Sequence, residues 1–114
     1  MAWSSASLES TLAMIVAVLF TIAGVVNLAR PGAVKRDFAR WGYPAWFQFL
    51  CGALELLSAA LLLGQQTRVL GLTLAGAIMI GALFTLVRNR EPFRHLAPAL
   101  VFSALIVVTL AARG

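Results

Sequence analysis

The sequence predicts an all-α integral membrane protein, a bundle of four transmembrane helices joined by short loops. The chain is 61% hydrophobic and only 11% charged, whereas soluble domains average about 45–50% apolar and about 25% charged residues. The charged residues also lie in short clusters between long apolar stretches, which is typical of a chain whose solvent is lipid. Both observations favour a single domain over residues 1–114 that crosses the membrane several times.

Four apolar stretches are long enough to cross the hydrocarbon core of a bilayer. Hydrocarbon cannot hydrogen-bond to backbone groups, so each stretch is expected to be a helix, and a helix needs about 20 residues to span the core. The N-terminus lacks the basic region of a secretory signal, so the first span is expected to be retained. The predicted spans are residues 12–29, 46–63, 69–87 and 96–112.

The basic residues of the loops predict the orientation of the chain. The loops at residues 30–44 and 88–95 carry seven of the nine Lys and Arg residues, and Arg68 and Arg113 fall on the other side. Because the more basic side faces the cytoplasm, these two loops are predicted there, with both termini outside a bacterial cytoplasmic membrane. A net charge of +5 also suits nucleic-acid binding, but basic residues that border apolar spans contact lipid headgroups instead.

The first loop is predicted to contain a short interfacial helix. Val34, Phe38 and Trp41 recur at i, i+4 and i+7 and therefore share one helix face. Tyr43 and Trp46 follow directly, as in the aromatic belt that lies at the headgroup level. This pattern favours an anchor in the membrane interface. The alternative interpretation is a lid over an opening between the helices.

Several polar residues inside the spans share helix faces. On the second span Gln48, Gly52 and Glu55 follow helical spacing, and the first and third spans contribute Asn27 and Thr85. Small and hydroxyl residues on one face are typical of helix–helix packing in membranes. The same positions are candidates for the polar wall of a binding pocket.

Glu55 is the most unusual of these residues, because it lies near the centre of its span. An acidic residue there costs about 2.5–3.5 kcal/mol on insertion scales and usually faces the bundle interior. Arg88 lies at the membrane edge, so a hydrogen bond from Asn27 or a hydroxyl is expected instead of an ion pair. Glu55 is either a structural link between helices or a group that binds a ligand or moves a proton. In the second case it is the candidate catalytic acid or base.

No cofactor motif accompanies these residues. His95 is the single histidine and Cys51 the single cysteine, so the sequence has no CxxC pair and no histidine cluster for a metal. Phosphate-binding glycine loops are also absent. The residues themselves therefore predict neither a metal site nor a cofactor.

Three segments of the chain resemble the DoxX-like family of small four-helix membrane proteins. AGVVNL is similar to the end of the family's first helix, where a lysine often stands in place of Asn27. FARWGYPAWFQFLCGALELLSAALLL is similar to the family's Gly-x-Pro turn and the following helix with Gly-x-x-Glu. AIMIGALFTLV is similar to a Met-rich third helix that often ends in Thr-His, with Leu86 in place of that histidine.

The resemblance implies a role with lipophilic molecules. Members of this family are linked to quinone- and sulfur-related membrane oxidoreductases, so the resemblance implies a quinone- or terpenoid-like ligand, with quinone as a possible cofactor, or a role as an accessory subunit. One alternative is a small enzyme that uses Glu55 as a general acid or base on a lipophilic substrate, of the isomerase, cyclase or epoxide-opening type. Another is a homo-oligomeric transporter or a structural membrane protein.

Overall fold

Five helices account for nearly all of the chain that the structure describes, and four of them are long and apolar enough to span a membrane. The computed structural model describes residues 5–29 and 31–113, and it contains no strand over those ranges. The predicted all-α membrane fold is confirmed. The helices are α1 (Ser5–Ala29), α2 (Pro31–Arg40), α3 (Ala45–Leu63), α4 (Arg68–Arg88) and α5 (Phe93–Arg113).

Each long helix contains its predicted span and extends beyond it. The largest extension is in α1, which begins at Ser5, whereas the predicted span begins at residue 12. The short helix predicted in the first loop is α2. The side chain of Val34, which belongs to that prediction, lies outside the described part of the chain, as does Arg30 of the basic first loop.

The four long helices pack in the cyclic order α1, α3, α4, α5, and α2 lies mainly against α3. At the α1–α3 crossing two glycines face each other. A Cβ atom on Gly24 would lie 2.9 Å from the carbonyl oxygen of Gly52, and one on Gly52 would lie 3.0 Å from that of Gly24. Cβ atoms rarely or never approach other atoms this closely, so the two backbones can touch because neither residue has a side chain.

The tightly packed apolar core fills the half of the bundle next to the α3–α4 turn. Phe20, Leu62 and Leu72 are its largest buried apolar side chains. The outer surface is also apolar. Ile80 and Phe84, for example, are 72% and 62% exposed. Side chains of this kind on the outside are stable when lipid covers them, as expected of a membrane bundle.

The same end of the bundle is closed by an ion cluster. Glu9 accepts hydrogen bonds from Arg68 at 3.0 Å and from Arg113 at 3.1 Å, which links α1, α4 and α5. Arg68 also donates to the carbonyl oxygen of Leu62 at 3.0 Å, one of the last four carbonyls of α3. Both cations that the sequence places on this side of the membrane are therefore paired with Glu9.

Candidate ligand cavity between α3 and α4

A cavity of about 400 Å³ lies between α3 and α4, in the half of the bundle that the apolar core leaves open. Its α4 wall carries Ala77, Gly81 and Thr85 at intervals of one helical turn. A Cβ atom on Gly81 would meet no other atom within 4 Å. Small residues on this wall thus leave room that larger side chains would occupy.

The end of α2 is shaped by Gly42, which adopts a positive φ of 88°. The amide of Gly42 donates to the carbonyl of Ala39 at 3.0 Å, and the amide of Tyr43 donates to that of Phe38 at 2.9 Å. These two bonds form a Schellman motif, in which glycine is favoured at the left-handed position. The hydrophobic contact of that motif joins the rings of Phe38 and Tyr43, 6.0 Å apart. The turn therefore places aromatic side chains at the mouth of the cavity.

Four rings form an aromatic cluster along the α2 side of the cavity. Phe38 lies at its centre, 5.4 Å from Trp41 and 6.1 Å from Phe47, and Tyr43 stacks 4.6 Å from Phe47. All four residues line the cavity. Trp46 instead is 62% exposed on the outside of the bundle. Of the four residues predicted at the membrane interface, the structure thus places Phe38, Trp41 and Tyr43 against the cavity and Trp46 on the outer surface.

A second turn of the same kind follows α4 and positions Glu91. Arg90 adopts a φ of 53°, a left-handed conformation that is uncommon outside glycine. Its amide donates to the carbonyl of Val87 and that of Glu91 to the carbonyl of Leu86, both at 3.0 Å. This Schellman motif directs the Glu91 side chain towards the end of α2.

Glu91 connects the aromatic cluster to α5. Its carboxylate accepts a hydrogen bond from the indole Nε1 of Trp41 at 2.8 Å, pairs with Arg40, and lies 2.9 Å from Nδ1 of His95. The side chain is only 3% exposed. These contacts lower the pKa of Glu91 to about 2. The hydrogen bond from the Trp41 indole has the largest effect, followed by those from Arg40 and His95. The sequence carries no signal for this role of Glu91, because the turn that places it lacks a glycine.

A second polar contact joins the aromatic cluster to α4. The hydroxyl groups of Tyr43 and Thr85 lie 2.6 Å apart. Both residues line the cavity, and they belong to different elements of the fold. The cluster is therefore held from two sides, by Thr85 on α4 and by Glu91 in the α4–α5 connection.

Glu55 lies on the α3 wall of the cavity and is held by Asn27 from α1. The Asn27 Nδ2 group donates to Oε1 of Glu55, which is the contact expected from the sequence. The other oxygen, Oε2, has no hydrogen-bond partner among the described residues and keeps some accessible surface, and Glu55 is one of the residues that line the cavity. One carboxyl oxygen is thus held by Asn27, while the other is unpaired over the described residues.

The predicted pocket residues fall into two groups. Asn27, Glu55 and Thr85 line the cavity, whereas Gln48 and Gly52 lie in the α1–α3 interface. Gln48 is fully buried and donates to the carbonyl oxygen of Asn27 at 2.7 Å. That carbonyl is one of the last four of α1, which have no partner within their own helix. Gln48 therefore supports the residue that contacts Glu55.

Cys51 also lines the cavity, where it is half-buried. Its position one turn before Glu55 on α3 is the only sequence signal for this placement. Over the described residues, no group of three His, Cys, Asp or Glu side chains is arranged to hold a metal ion.

A comparison with protein families agrees with this architecture. The model of the DoxX-like family matches residues 11–109, which include α2, α3, α4 and every cavity residue named above. The chain belongs to the DoxX-like family. No curated protein and no solved structure matches it. Membership confirms the class of a DoxX-like membrane protein.

Proposed function

We propose that this DoxX-like protein binds a small lipophilic molecule, such as a quinone or an oxygenated terpenoid, in the cavity between α3 and α4. The observation that carries this proposal is the position of Glu55. Its Oε2 atom has no partner among the described residues, and the residue lines a cavity whose other walls are mainly apolar and aromatic. A carboxyl group is costly at this depth, and a polar group of a ligand would offset that cost.

The size and lining of the cavity fit such a molecule. Small-molecule sites typically enclose about 300–1,000 Å³ and combine apolar walls with a few polar groups. The volume of about 400 Å³ lies in this range. The rings of Phe38, Trp41 and Phe47 provide flat faces on which a planar or alicyclic ring can stack.

Two hydrogen-bonding positions on different walls would orient the ligand. One is Oε2 of Glu55 on α3, and the other is the hydroxyl pair of Tyr43 and Thr85. A ring that carries carbonyl or hydroxyl oxygens on different sides matches two such positions. A pure hydrocarbon would leave both unused, so oxygenated lipophilic molecules are the favoured class.

The walls also suggest how the ligand enters. Ala77 and Gly81 are exposed residues of the cavity wall, so this side opens laterally between α3 and α4. A lipid-soluble molecule can therefore enter from the bilayer. The aromatic cluster acts as a lid at the α2 end, held closed by the contacts of Tyr43 with Thr85 and of Trp41 with Glu91.

An accessory role fits the same site. A protein that holds a quinone-like molecule within the bilayer can present it to a membrane oxidoreductase without carrying out the redox step itself. This is the role that the family resemblance implies, and it needs only binding and release by the residues described above.

A small membrane enzyme is the second candidate function. Asn27 holds Oε1 of Glu55, so Oε2 would be the atom that exchanges a proton with a substrate in the cavity. Proton transfer requires a positioned acid or base within hydrogen-bond distance of the reacting group. A single such group is enough for an isomerisation that moves one proton, and Tyr43 and Thr85 would then orient the substrate.

Two glycines of α4 provide a matched test of the proposal. A Cβ atom on either Gly81 or Gly76 would meet no other atom within 4 Å, but only Gly81 lines the cavity. Gly81→Leu should fill part of the cavity without disturbing the fold. Gly76→Leu adds the same side chain to the same helix and serves as the control.

Native mass spectrometry of the gently purified protein, followed by solvent extraction, measures what is bound. We expect the wild type and Gly76→Leu to retain the same organic molecule, and Gly81→Leu to lose it. Phospholipid alone in the wild type would contradict the proposal. Equal retention by Gly81→Leu and Gly76→Leu would also contradict it, because the molecule would then lie elsewhere.

A further inference from the structure

We infer that the α2 end of the bundle carries a binding surface for anionic phospholipid headgroups, which we name the basic rim. The inference is independent of the proposed cavity ligand. The rim is formed by exposed cationic side chains of α2, of the end of α4, and of the connection into α5: Lys35, Arg36, Arg88, Arg90 and Arg94.

The first observation is that these cations are unpaired. Over the described residues, none of the five forms an ion pair, because the two acidic groups at this end are already engaged. Asp37 pairs with Arg40, and Glu91 pairs with Arg40 and contacts His95. The positive charge of the rim is thus left without an internal counter-ion.

The second observation is the contrast with the opposite end. There, the described cations Arg68 and Arg113 both bind Glu9, and Arg68 is buried. Among the described residues, five cations without an ion-pair partner thus lie at the α2 end, and none lies at the opposite end. Only the α2 end presents a group of free cations to its surroundings.

The third observation is that the rim is held in one place. Arg40 at the end of α2 pairs with Glu91 in the α4–α5 connection, so the two segments that carry the cations are joined. Arg36 lies one turn before Arg40, while Arg90 and Arg94 flank Glu91 in the sequence. Cations on joined segments stay near one another, and a guanidinium group can bind phosphate with two parallel hydrogen bonds.

The membrane supplies the matching partner. The exposed side chain of Trp46, near the start of α3, is of the type found at the headgroup level of bilayers. The rim lies at the same end of the bundle, where lipid phosphates are the nearest abundant anions. Basic residues next to spans attract anionic lipids, and the attraction decreases with salt because exposed charges are screened.

The inference can be tested with the full chain in nanodiscs that contain equal amounts of phosphatidylglycerol and phosphatidylcholine. Native mass spectrometry then measures which lipid stays bound as NaCl is raised. We expect the wild type to retain phosphatidylglycerol preferentially, and the preference to decrease with salt. Arg94→Gln should weaken it about five-fold, whereas Arg113→Gln, which removes a paired cation at the other end, should leave it unchanged.

A variant with all five rim cations replaced by Gln should show no preference between the two lipids. The salt series on the wild type decides the question even if this variant does not fold. Equal retention of both lipids by the wild type would overturn the inference and leave an acidic protein segment as the partner to examine. Equal effects of Arg94→Gln and Arg113→Gln would overturn it as well.

Discussion

Asn27 and Glu55 are 28 positions apart in the sequence, yet the Asn27 amide donates directly to the Glu55 carboxyl group across the α1–α3 interface. The contact is supported from behind by Gln48, which holds the Asn27 carbonyl at 2.7 Å. Three residues from two helices thus fix one carboxyl oxygen inside the membrane-spanning bundle. The geometry explains how a costly acidic group can be stable in this position.

The Asn27–Glu55 pair gives a prediction about stability. Asn27→Leu removes the donor and leaves Oε1 of Glu55 buried without a partner, which should cost about 1–3 kcal/mol in the free energy of unfolding. Replacing both residues by Leu should recover most of that loss, because no unpaired polar group remains. Thermal unfolding in detergent of the wild type, both single variants and the double variant measures the coupling. Additive losses would contradict a direct contact.

The glycine crossing gives a second prediction. Gly24→Ala places a methyl group 2.9 Å from the backbone oxygen of Gly52, so the helices must separate, at a cost of about 1–3 kcal/mol. Gly76→Ala adds the same group where nothing lies within 4 Å, and it should be neutral or slightly stabilising. Unfolding temperatures of the two variants in the same detergent compare the sites. A loss of equal size at Gly76 would contradict this prediction, because the close approach of the two backbones would then not set the effect.

The contact of Glu91 with the end of α2 gives a prediction about pH. The pKa of Glu91 is lowered from the usual 4.5 to about 2 in the folded protein. A lowered pKa means that the carboxylate stabilises the fold fully above 4.5 and that this contribution is lost as the pH falls from 4.5 towards 2. The groups that face Glu91 are Arg40 and Trp41 from the α2 side and His95 from α5.

The test compares the thermal unfolding of two proteins, His95→Gln and His95→Gln with Glu91→Gln. Because both lack the imidazole, the difference between them reports the Glu91 carboxylate alone. The difference in melting temperature should be constant from neutral pH down to about 5 and should shrink at lower pH. A difference that persists unchanged in strong acid would show that Glu91 acts without its charge.

The orientation of the chain is a further prediction, based on the basic loops. In a Cys51→Ala background, Gly32→Cys and Gln66→Cys place a thiol at exposed positions on opposite ends of the bundle. A membrane-impermeant maleimide added to intact cells should label Gln66→Cys at once and Gly32→Cys only after permeabilisation. The reverse pattern would contradict the predicted orientation.

Much of the fold could be predicted from the sequence because the bilayer restricts what a span can be. Long apolar stretches must form helices there, and the predicted spans agree with α1, α3, α4 and α5 except at their ends. The contact between Glu55 and Asn27 could be predicted for a related reason, since a polar side chain in a span needs a polar partner. The contact is therefore the part of the site that the sequence indicates best.

Other parts of the site depend on local geometry that the sequence pattern does not reveal. Glu91 reaches Trp41 because Arg90 takes a left-handed conformation. The sequence does not predict that conformation, because it is uncommon for residues other than glycine. The spacing of Phe38 and Trp41 suits both a membrane anchor and a lid over an opening between helices, and it does not reveal that the Gly42 turn brings both rings against the cavity. Gln48 is polar, as a pocket residue could be, yet its side chain donates a hydrogen bond to the carbonyl oxygen of Asn27 at the end of α1.

The most direct test of the central claim compares what the wild type, Glu55→Gln and Asp37→Asn retain after mild purification, by solvent extraction and mass spectrometry. Asp37→Asn makes the same chemical change at a half-exposed surface carboxylate outside the cavity. The proposal predicts that the wild type and Asp37→Asn retain the same oxygenated lipophilic molecule. Glu55→Gln should retain at least about ten-fold less of it, because the hydrogen bond between the molecule and a buried carboxyl group is lost. The same molecule in equal amount on Glu55→Gln, or none on the wild type, would contradict it.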